Sequence, residues 1–394
     1  MQHERHLHHQ ALIQFIRQMY PSTITEEFIP LHVPTFGGNE KEYLNDCIDS
    51  TYVSSIGSYV SRFEQMVVEF TGAKFAVATV SGTSALHMAL KLAGVNAGDE
   101  VITQPLTFVA TCNAIAYCGA SPVFVDVSKT TLGMCPNSLR QFLMEHTMQS
   151  GAGCMNKTTG KKITAVVPMH TFGQPCELDE LVQICAEFNL PLVEDAAESL
   201  GSYYRGKHTG TFGKLGIFSF NGNKTITTGG GGMIVTDDAV LAKRAKHMTT
   251  TAKLPHPFEF VHDEIGYNYR LPNLNAALGC AQMEMLQRLL ASKRQIALAY
   301  RDFVNSEAAR GAYRLVLETE AARSNYWLNT IILADLEQRN ALLDEFSADQ
   351  IMARPAWHLM NDLPMYQHCQ SSSLDNARWL VDRIVNIPSS AKLS

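Results

Sequence analysis

The sequence predicts an α/β protein: a large domain with a mostly parallel central sheet covered by helices, and a smaller C-terminal α/β domain. Three observations predict this class. Short β-rich runs alternate with helical runs between residues 75 and 236. A long helical stretch begins after Pro272. The chain has 394 residues, enough for two domains with buried cores.

The alternating segment supplies the elements of the large domain. We expect strands at residues 75–80, 100–103, 122–127, 163–167, 190–194, 215–220 and 233–236, and helices at 81–93, 107–117 and 177–189. Strands separated by helices of about 10–15 residues pair in parallel and have both faces covered. Because ligands of such sheets bind at the carboxyl ends of the strands, residues just beyond those ends are candidates for a site.

The predicted domain boundaries follow from where this alternation starts and stops. Residues 1–40 read as an N-terminal extension, made of a helix and a connecting segment, and residues 41–272 as the large domain. The small domain, residues 273–394, begins with a long linking helix at 273–304. Its further elements are β-like runs at 313–317 and 327–333 and a helical run at 336–346.

The composition argues against several classes of protein. The net charge is −6 and no basic stripe occurs, so neither nucleic acid nor a membrane surface is an expected partner. No run of about 18 apolar residues is present. Nine scattered cysteines without a CxxC pair indicate reduced thiols, a cytoplasmic protein and no metal site. The N-terminal histidines are expected to be solvated and not to bind metal: His3, His6, His8 and His9.

A lysine and a carboxylate follow two of the predicted strands. Lys224 comes shortly after the run 215–220, and Asp195 directly follows the run 190–194. A lysine amine forms a Schiff base with the aldehyde of pyridoxal phosphate, and a carboxylate keeps the pyridine nitrogen of that cofactor protonated. A salt-bridged lysine and a helix-capping aspartate remain the alternatives. Together the two residues indicate pyridoxal phosphate.

Other residues of the same edge suit an anionic, planar ligand. The SGTS segment at 81–84 closes a strand and opens a helix, so it either binds an anion or is an ordinary N-cap. Ser219 is close enough along the chain to Lys224 to reach the same phosphate. Phe108 either stacks on a planar ring or belongs to the core. The glycine run 229–232 indicates a turn that lets the chain fold back.

These motifs resemble the DegT/DnrJ/EryC1/StrS family of sugar aminotransferases, within fold-type I of the pyridoxal-phosphate enzymes. The matching segments extend from about Leu31 onward and are SGTSAL (81–86), GDEVI (98–102), TFVAT (107–111), GASPVFVD (119–126), EDAAE (194–198), FSF with Lys224 (218–224) and GYNYRL (266–271).

The resemblance implies a role for each matching residue. Lys224 would be the catalytic residue, which forms the Schiff base and moves the proton between the cofactor and the sugar. Asp195 would pair with the pyridine nitrogen and Phe108 would stack on the ring. The phosphate would be held by hydroxyl groups, those of Thr83, Ser84 and Ser219.

The resemblance also implies a homodimer with shared active sites, because Asn268 and Arg270 lie in the segment that reaches the partner subunit's site in this family. Glu198 stands where many members carry Gln or His near the ring hydroxyl. A charged carboxylate there would repel the phenolate oxygen unless it is protonated or turned away, so its role as a cofactor-binding residue stays open.

Within the family, the LegC group is the most similar, through PTFGGNE (34–40), YVSSIG (52–57), NGNK (221–224), SNYWLN (324–329) and RPAW (354–357). This implies transfer of an amino group from glutamate to the C4 ketone of a nucleotide-linked 4-keto-6-deoxy-N-acetylhexosamine, in the synthesis of legionaminic-type or surface-polysaccharide sugars. The alternatives are amination at C3, a dehydratase of the same family, which would carry His at the lysine position, and a non-catalytic regulatory protein that binds the cofactor.

Overall fold

The computed structural model describes residues 2–21, 28–151 and 153–393 and has a mixed α/β architecture. Its helices are α1 (Gln2–Met19), α2 (Glu40–Asp49), α3 (Ser58–Thr71), α4 (Gly82–Leu92), α5 (Val109–Tyr117), α6 (Pro136–His146), α7 (Leu178–Glu187), α8 (Ala239–Thr249), α9 (Asn273–Val304), α10 (Leu336–Ala348) and α11 (Asp375–Val381). Short 3₁₀ turns occur at Thr171–Gly173 and Met360–Asp362.

The strands are mostly short. In the first half of the chain they are β1 (Phe75–Thr79), β2 (Glu100–Thr103), β3 (Ser121–Phe124), β4 (Thr147–Ser150), β5 (Gly153–Asn156), β6 (Ile163–Val167) and β7 (Val193–Asp195). They continue with β8 (Tyr203–Tyr204), β9 (Lys207–His208), β10 (Leu215–Ser219), β11 (Gly232–Thr236), β12 (Arg314–Leu315), β13 (Ala322–Arg323), β14 (Asn329–Ile332), β15 (Arg354–Pro355) and β16 (Ile384–Ile387).

The central sheet is mostly parallel, as predicted. One part has the order β1-β11-β10-β7 and the other the order β3-β2-β6. Parallel bridges from Val166 to Leu192 and from Met169 to Asp195 join the two parts. Only β11 runs antiparallel to its neighbours in these parts, because the chain turns back at the glycine run after β10. The carboxyl ends of β1, β2, β7 and β10 therefore meet at one edge.

Helices cover both faces of this sheet. α4 packs on one face with apolar residues that include Leu86 and Leu90, which are fully buried against Val193 and Ile217 of the strands. α3 and the first part of α9 cover the other face, where Phe63 packs against Phe220 with ring centroids 4.9 Å apart. The long helix α9 coincides with the predicted linking helix and is preceded by Pro272 at its N-cap.

The C-terminal part forms a second, smaller sheet with the order β12-β14-β16-β15, all antiparallel. α10 and α1 pack against it through a common apolar cluster. The predicted runs at 313–317 and 327–333 are shortened to β12 and β14. The domain boundaries at residues 40 and 272 stay predictions.

The expectation that the N-terminal histidines are solvated is wrong for His9. α1 packs on α10, which buries His9 to 4% exposure and places its Nδ1 2.8 Å from Glu345 Oε1. His6 is exposed and lies 3.2 Å from the same carboxylate, and His8 is half-buried. The side chain of His3 lies outside the described residues. Within the described residues, no helix is long and apolar enough to cross a membrane.

Candidate active site

A cavity of about 280 Å³ opens at the carboxyl edge of the central sheet. Its size is near the lower end of ligand pockets, which span roughly 300–1,000 Å³. It lies between the N-termini of α4 and α5, the ends of β7 and β10, and two segments of the C-terminal part. Its lining includes Ser81, Thr83, Phe108, Thr111, Met169, Asp195, Ala197, Glu198, Ser219, Asn221, Asn223, Lys224, Trp327 and Trp357.

Lys224 reaches this cavity from the turn that follows β10. Its backbone N–H donates to the carbonyl of Asn221 at 3.0 Å, which closes the turn. Its Nζ lies 3.2 Å from Glu198 Oε1 and 4.1 Å from the centroid of the Trp327 ring. The side chain is 13% exposed, so its amine is held inside the cavity and not extended into solvent.

Asp195 is the buried carboxylate of the site. Its Oδ2 accepts a hydrogen bond from Thr111 Oγ1 at 2.7 Å, and its Oδ1 accepts the N–H of Ala197 at 3.2 Å. Burial raises the pKa of Asp195, and these two donors oppose the rise because they bind the charged form. The neighbouring Glu194 points away from the cavity and accepts N–H groups that include those of Phe212 and Gly213. Asp195 is thus the member of the acid pair that a ligand can reach.

The first turn of α4 and the end of β10 form a cradle for an anion. The N–H groups of a helix's first turn have no intrahelical acceptor and attract negative charge. A Cβ on Gly82 would lie 2.7 Å from Ser219 Cβ, so only glycine lets the helix start approach the strand this closely. Thr83 and Ser219 line the cavity. Ser84 is not among the lining residues, because its N–H and hydroxyl bond to Ser81 Oγ, the N-cap.

Aromatic side chains form one wall of the cavity. Phe108 is the N-cap residue of α5 and remains 48% exposed, so its ring is not part of the core. Trp357 comes from the C-terminal part and lies 6.0 Å from the Phe108 ring and 4.9 Å from the Phe172 ring, measured between centroids. The cavity therefore offers flat apolar surfaces to a planar ligand.

Glu198 is neither solvated nor turned away from the cavity. It is 3% exposed, and its Oε2 accepts the N–H of Phe172 at 2.9 Å. Phe172 has a φ of 56°, a strained conformation that occurs often at functional sites. Burial raises the pKa of Glu198 to about 7, although the nearby Lys224 opposes the rise. A protonated Glu198 is therefore accessible at neutral pH.

Asn268 and Arg270 lie outside this cavity. Asn268 is exposed, and Arg270 Nη2 donates to Asn268 Oδ1 at 3.0 Å. The segment pairs with the chain around Thr250 and with Thr79, at the start of the turn into α4. One chain therefore does not bring the two residues to its own Lys224.

Three residues matter to the site without being among the predicted site residues. Thr111 orients Asp195, and Trp327 covers the Lys224 amine. Asn325 is buried, and its amide donates to the carbonyls of Glu198 and Leu200 at 2.9 Å each. All three occur in motifs that resemble the family, but their contacts join segments far apart along the chain.

The site as a whole fits pyridoxal phosphate on its own geometry. The glycine-dependent cradle suits the phosphate, Asp195 suits the pyridine nitrogen, and the exposed face of Phe108 suits the ring. Among the described residues, Lys224 is the only lysine or arginine that lines the cavity. Its amine faces the carboxylates and not the solvent, as a residue that bonds to an aldehyde requires.

Comparisons with known proteins agree with this geometry. The model of the DegT/DnrJ/EryC1/StrS aminotransferase family matches residues 34–394. The chain is similar to the GDP-perosamine synthase of Escherichia coli O157:H7, with 37% identity over 93% of this chain and 95% of the relative. It is also similar to EpsN of Bacillus subtilis, described as a putative pyridoxal phosphate-dependent aminotransferase, with 38% identity over 86% and 84% of the two chains. The crystal structure of the aminotransferase TlmJ from Streptoalloteichus hindustanus superposes with a TM-score of 0.83 and 26% identity, over 93% and 95% of the chains.

Proposed function

The chain belongs to the DegT/DnrJ/EryC1/StrS aminotransferase family, whose members use pyridoxal phosphate, and from this premise we propose the reaction that it catalyses. It transfers an amino group from glutamate to the C4 ketone of a nucleotide-linked 4-keto-6-deoxy-N-acetylhexosamine. The single observation that carries the proposal is the cavity in which the Lys224 amine, the Asp195 carboxylate and the α4 cradle face the same space.

Each residue of the cavity has a part in this reaction. Pyridoxal phosphate supplies a carbon that carries the amino group and a ring that takes up the electron pair left by a departing proton. Asp195 holds the proton of the pyridine nitrogen, and Thr111 keeps that carboxylate ionised and correctly oriented. Lys224 would hold the cofactor and would move the proton between the cofactor carbon and the sugar carbon.

The phosphate and the ring are held by the remaining residues. Thr83 and Ser219 offer hydroxyl groups beside the first turn of α4, and Ser84 supports that turn through Ser81. Phe108 covers one face of the ring. Glu198, whose pKa is raised to about 7, could donate a hydrogen bond to the phenolate oxygen when protonated, which would avoid the repulsion expected of a carboxylate.

Two nucleotide sugars are candidates for the substrate that accepts the amino group. The similarity to the LegC group favours an N-acetylated hexosamine. A second candidate is a GDP-linked keto-sugar, which is favoured by the 37% identical relative named GDP-perosamine synthase. With either sugar, the ketone would have to approach the Lys224 amine within the cavity that Phe108 and Trp357 line.

We further propose that the enzyme is a homodimer with shared active sites. The described residues of one chain offer the cavity a single cationic side chain, that of Lys224, although the cofactor phosphate, the nucleotide and glutamate are all anionic. Arg270 and Asn268 of a second copy would add the missing positive charge and hydrogen-bond donors. The segment before them carries large exposed apolar side chains, Phe258, Phe260 and Ile265, each at least 78% exposed, as an unpaired interface would.

A panel of nucleotide keto-sugars tests the reaction. Purified enzyme is incubated with glutamate and each sugar, and products are identified by mass spectrometry and by NMR of the new C–N position. We expect 2-oxoglutarate and a 4-amino sugar in equal amounts. A 3-amino product, or loss of water without use of glutamate, would contradict the proposal in favour of the two catalytic alternatives, and cofactor binding without any turnover would favour a regulatory protein.

A further inference from the structure

Lys293 is a buried lysine that the proposed reaction does not use. It lies in α9 with 1% of its surface exposed. Among the described residues its amine forms no ion pair, and burial alone lowers its pKa to about 7. A buried ammonium group without a counter-ion is costly, so other acceptors must compensate for the lost water.

Three main-chain carbonyls surround the Lys293 amine. Its Nζ donates to Ser389 O at 2.8 Å, to Trp327 O at 3.1 Å and to Tyr326 O at 3.5 Å. An ammonium group has three N–H donors, whereas a neutral amine has two, so the charged form matches the three acceptors. These carbonyls bind the charged form and oppose the effect of burial on the pKa of Lys293. Backbone oxygens thus hold the Lys293 ammonium group in the way that they would hold a small bound cation.

Two of these carbonyls, those of Tyr326 and Trp327, belong to the turn that places Trp327 in the active site, and the third, that of Ser389, belongs to the C-terminal segment. Tyr326 has a φ of 48°, a left-handed conformation that is costly for a bulky residue. Asn325 accepts the N–H of Trp327 at 2.9 Å and fixes the other side of the turn. The Trp327 ring then lies over the Lys224 amine, and its Nε1 donates to the carbonyl of Asn223 at 2.7 Å.

We propose that Lys293 acts as a tethered monovalent cation, which holds the Tyr326–Trp327 turn and thereby positions the Trp327 ring against Lys224. Lys293 is a positioning residue, since it touches neither the cavity nor Lys224. The proposal rests on the proposed function in one respect, that Lys224 carries the cofactor. The ring lies 4.1 Å from the Lys224 amine and stabilises positive charge there by a cation–π contact, so loss of Lys293 should weaken that contact.

Other ionisable groups face Lys293 or Lys224 in every variant tested, and the nearest to Lys224 Nζ is Glu198 Oε1, at 3.2 Å. His32, in the segment before α2, has both ring nitrogens buried and, within the described residues, without a side-chain hydrogen bond; burial together with Lys293 and Lys224 lowers its pKa well below the usual value. Arg294, the next residue of α9, is paired with Glu318 at 2.7 Å. Tyr300 of the same helix donates to the carbonyl of Pro388 at 2.8 Å.

The experiment compares two substitutions that differ in whether they leave room for a cation. Lys293→Ala opens a space beside the three carbonyls, and Lys293→Met fills it with an apolar chain. The readout is the pH midpoint of the absorbance change of the holoenzyme, with and without methylammonium chloride, against the same concentration of sodium chloride. Lys243→Ala, at an exposed position of α8, is the matched control.

We expect both substitutions at Lys293 to lower the midpoint by roughly half a pH unit, the size that loss of a cation–π contact implies. Methylammonium restores the midpoint of Lys293→Ala but not that of Lys293→Met. Wild-type midpoints in both variants, or equal responses of the two to methylammonium, would overturn the proposal. Failure of both variants to fold would also overturn it, because it would show a structural role. Absence of bound-cofactor absorbance in wild-type enzyme at any pH would instead refute the proposed function.

Discussion

The substitution Thr111→Val tests how the site keeps Asp195 ionised. Thr111 donates the shorter of the two hydrogen bonds found on that carboxylate, at 2.7 Å against 3.2 Å from Ala197. Val keeps the shape of the side chain and removes the donor. A hydrogen bond to a charged group contributes about 1.5–3 kcal/mol, and one pKa unit corresponds to about 1.4 kcal/mol. The pKa of Asp195 in the cofactor-free enzyme should therefore rise by roughly one to two units.

Cofactor affinity as a function of pH is the assay. Only the ionised form of Asp195 pairs with a protonated pyridine nitrogen, so affinity falls on the acid side as Asp195 takes up a proton. We expect the midpoint of this acid limb to move up by one to two pH units in Thr111→Val, while the affinity on the alkaline side is unchanged. Titration of the free cofactor affects every variant equally and cancels in the comparison.

Thr107→Val is the matched control for this prediction. Thr107 lies one helical turn away and bonds to Thr111 at 2.7 Å, but it makes no contact with Asp195. Its substitution removes a buried hydroxyl and leaves the Thr111–Asp195 hydrogen bond in place. The reasoning would be refuted if the acid-side pH midpoint of cofactor affinity is unchanged in Thr111→Val, or if it moves as far in Thr107→Val.

Three further experiments test other parts of the site. The pKa of Glu198 is raised from 4.5 to about 7, so the unfolding free energy of the wild-type apoenzyme should fall by up to about 3 kcal/mol as pH rises from 4.5 to 8. Glu198→Gln should not show this fall. The same pH dependence of the unfolding free energy in both proteins, measured with urea, would contradict the prediction. Gly82→Ala should weaken cofactor binding about tenfold or more, because the added methyl group would overpack against Ser219. Fluorescence titration measures this affinity. Gly222→Ala is the control and should not weaken binding, because a Cβ there meets none of the described atoms within 4 Å. If sites are shared, Lys224→Ala and Arg270→Ala should each be inactive alone, and mixing them in equal amounts should recover about a quarter of wild-type activity. An Arg270→Ala chain that stays active alone, or a mixture that recovers no activity, would contradict shared sites.

The sequence predicts the central elements well because their signals are local. α9 is found at the predicted residues, since its composition is helical throughout and Pro272 precedes it. The glycine run was expected to turn the chain back, and β10 and β11 indeed pair antiparallel, with Ser219 opposite Gly232. The predicted strand at 122–127 ends early, at Phe124, and the one at 190–194 is shifted to β7.

Elements with weak local signals were not predicted. α6 and α8 begin at Pro136 and after the N-cap Asp238, but neither shows the strong alternation that marks the central sheet. β15 and β16 are short, and they become strands because they pair with each other and with β14. Burial of His9 likewise depends on the packing of α1 against α10, which is a tertiary contact.

For the site, the sequence indicates which residues come together but not how each is held. Lys224, Asp195, Thr83, Ser219, Phe108 and Glu198 all line one cavity. The Thr111–Asp195 and Trp327–Lys224 contacts join segments more than eighty residues apart, and no periodicity reports such pairs. The charge state of Glu198 depends on its burial, which only the folded chain defines.

Identification of the lysine that carries the cofactor tests the central claim most directly. Holoenzyme is treated with borohydride, which fixes a Schiff base as a stable amine, and is then digested and mapped by mass spectrometry. We expect the added mass on the peptide that contains Lys224, and no fixed cofactor in Lys224→Ala. Modification of another lysine, or cofactor that remains fixed in Lys224→Ala, would contradict the account.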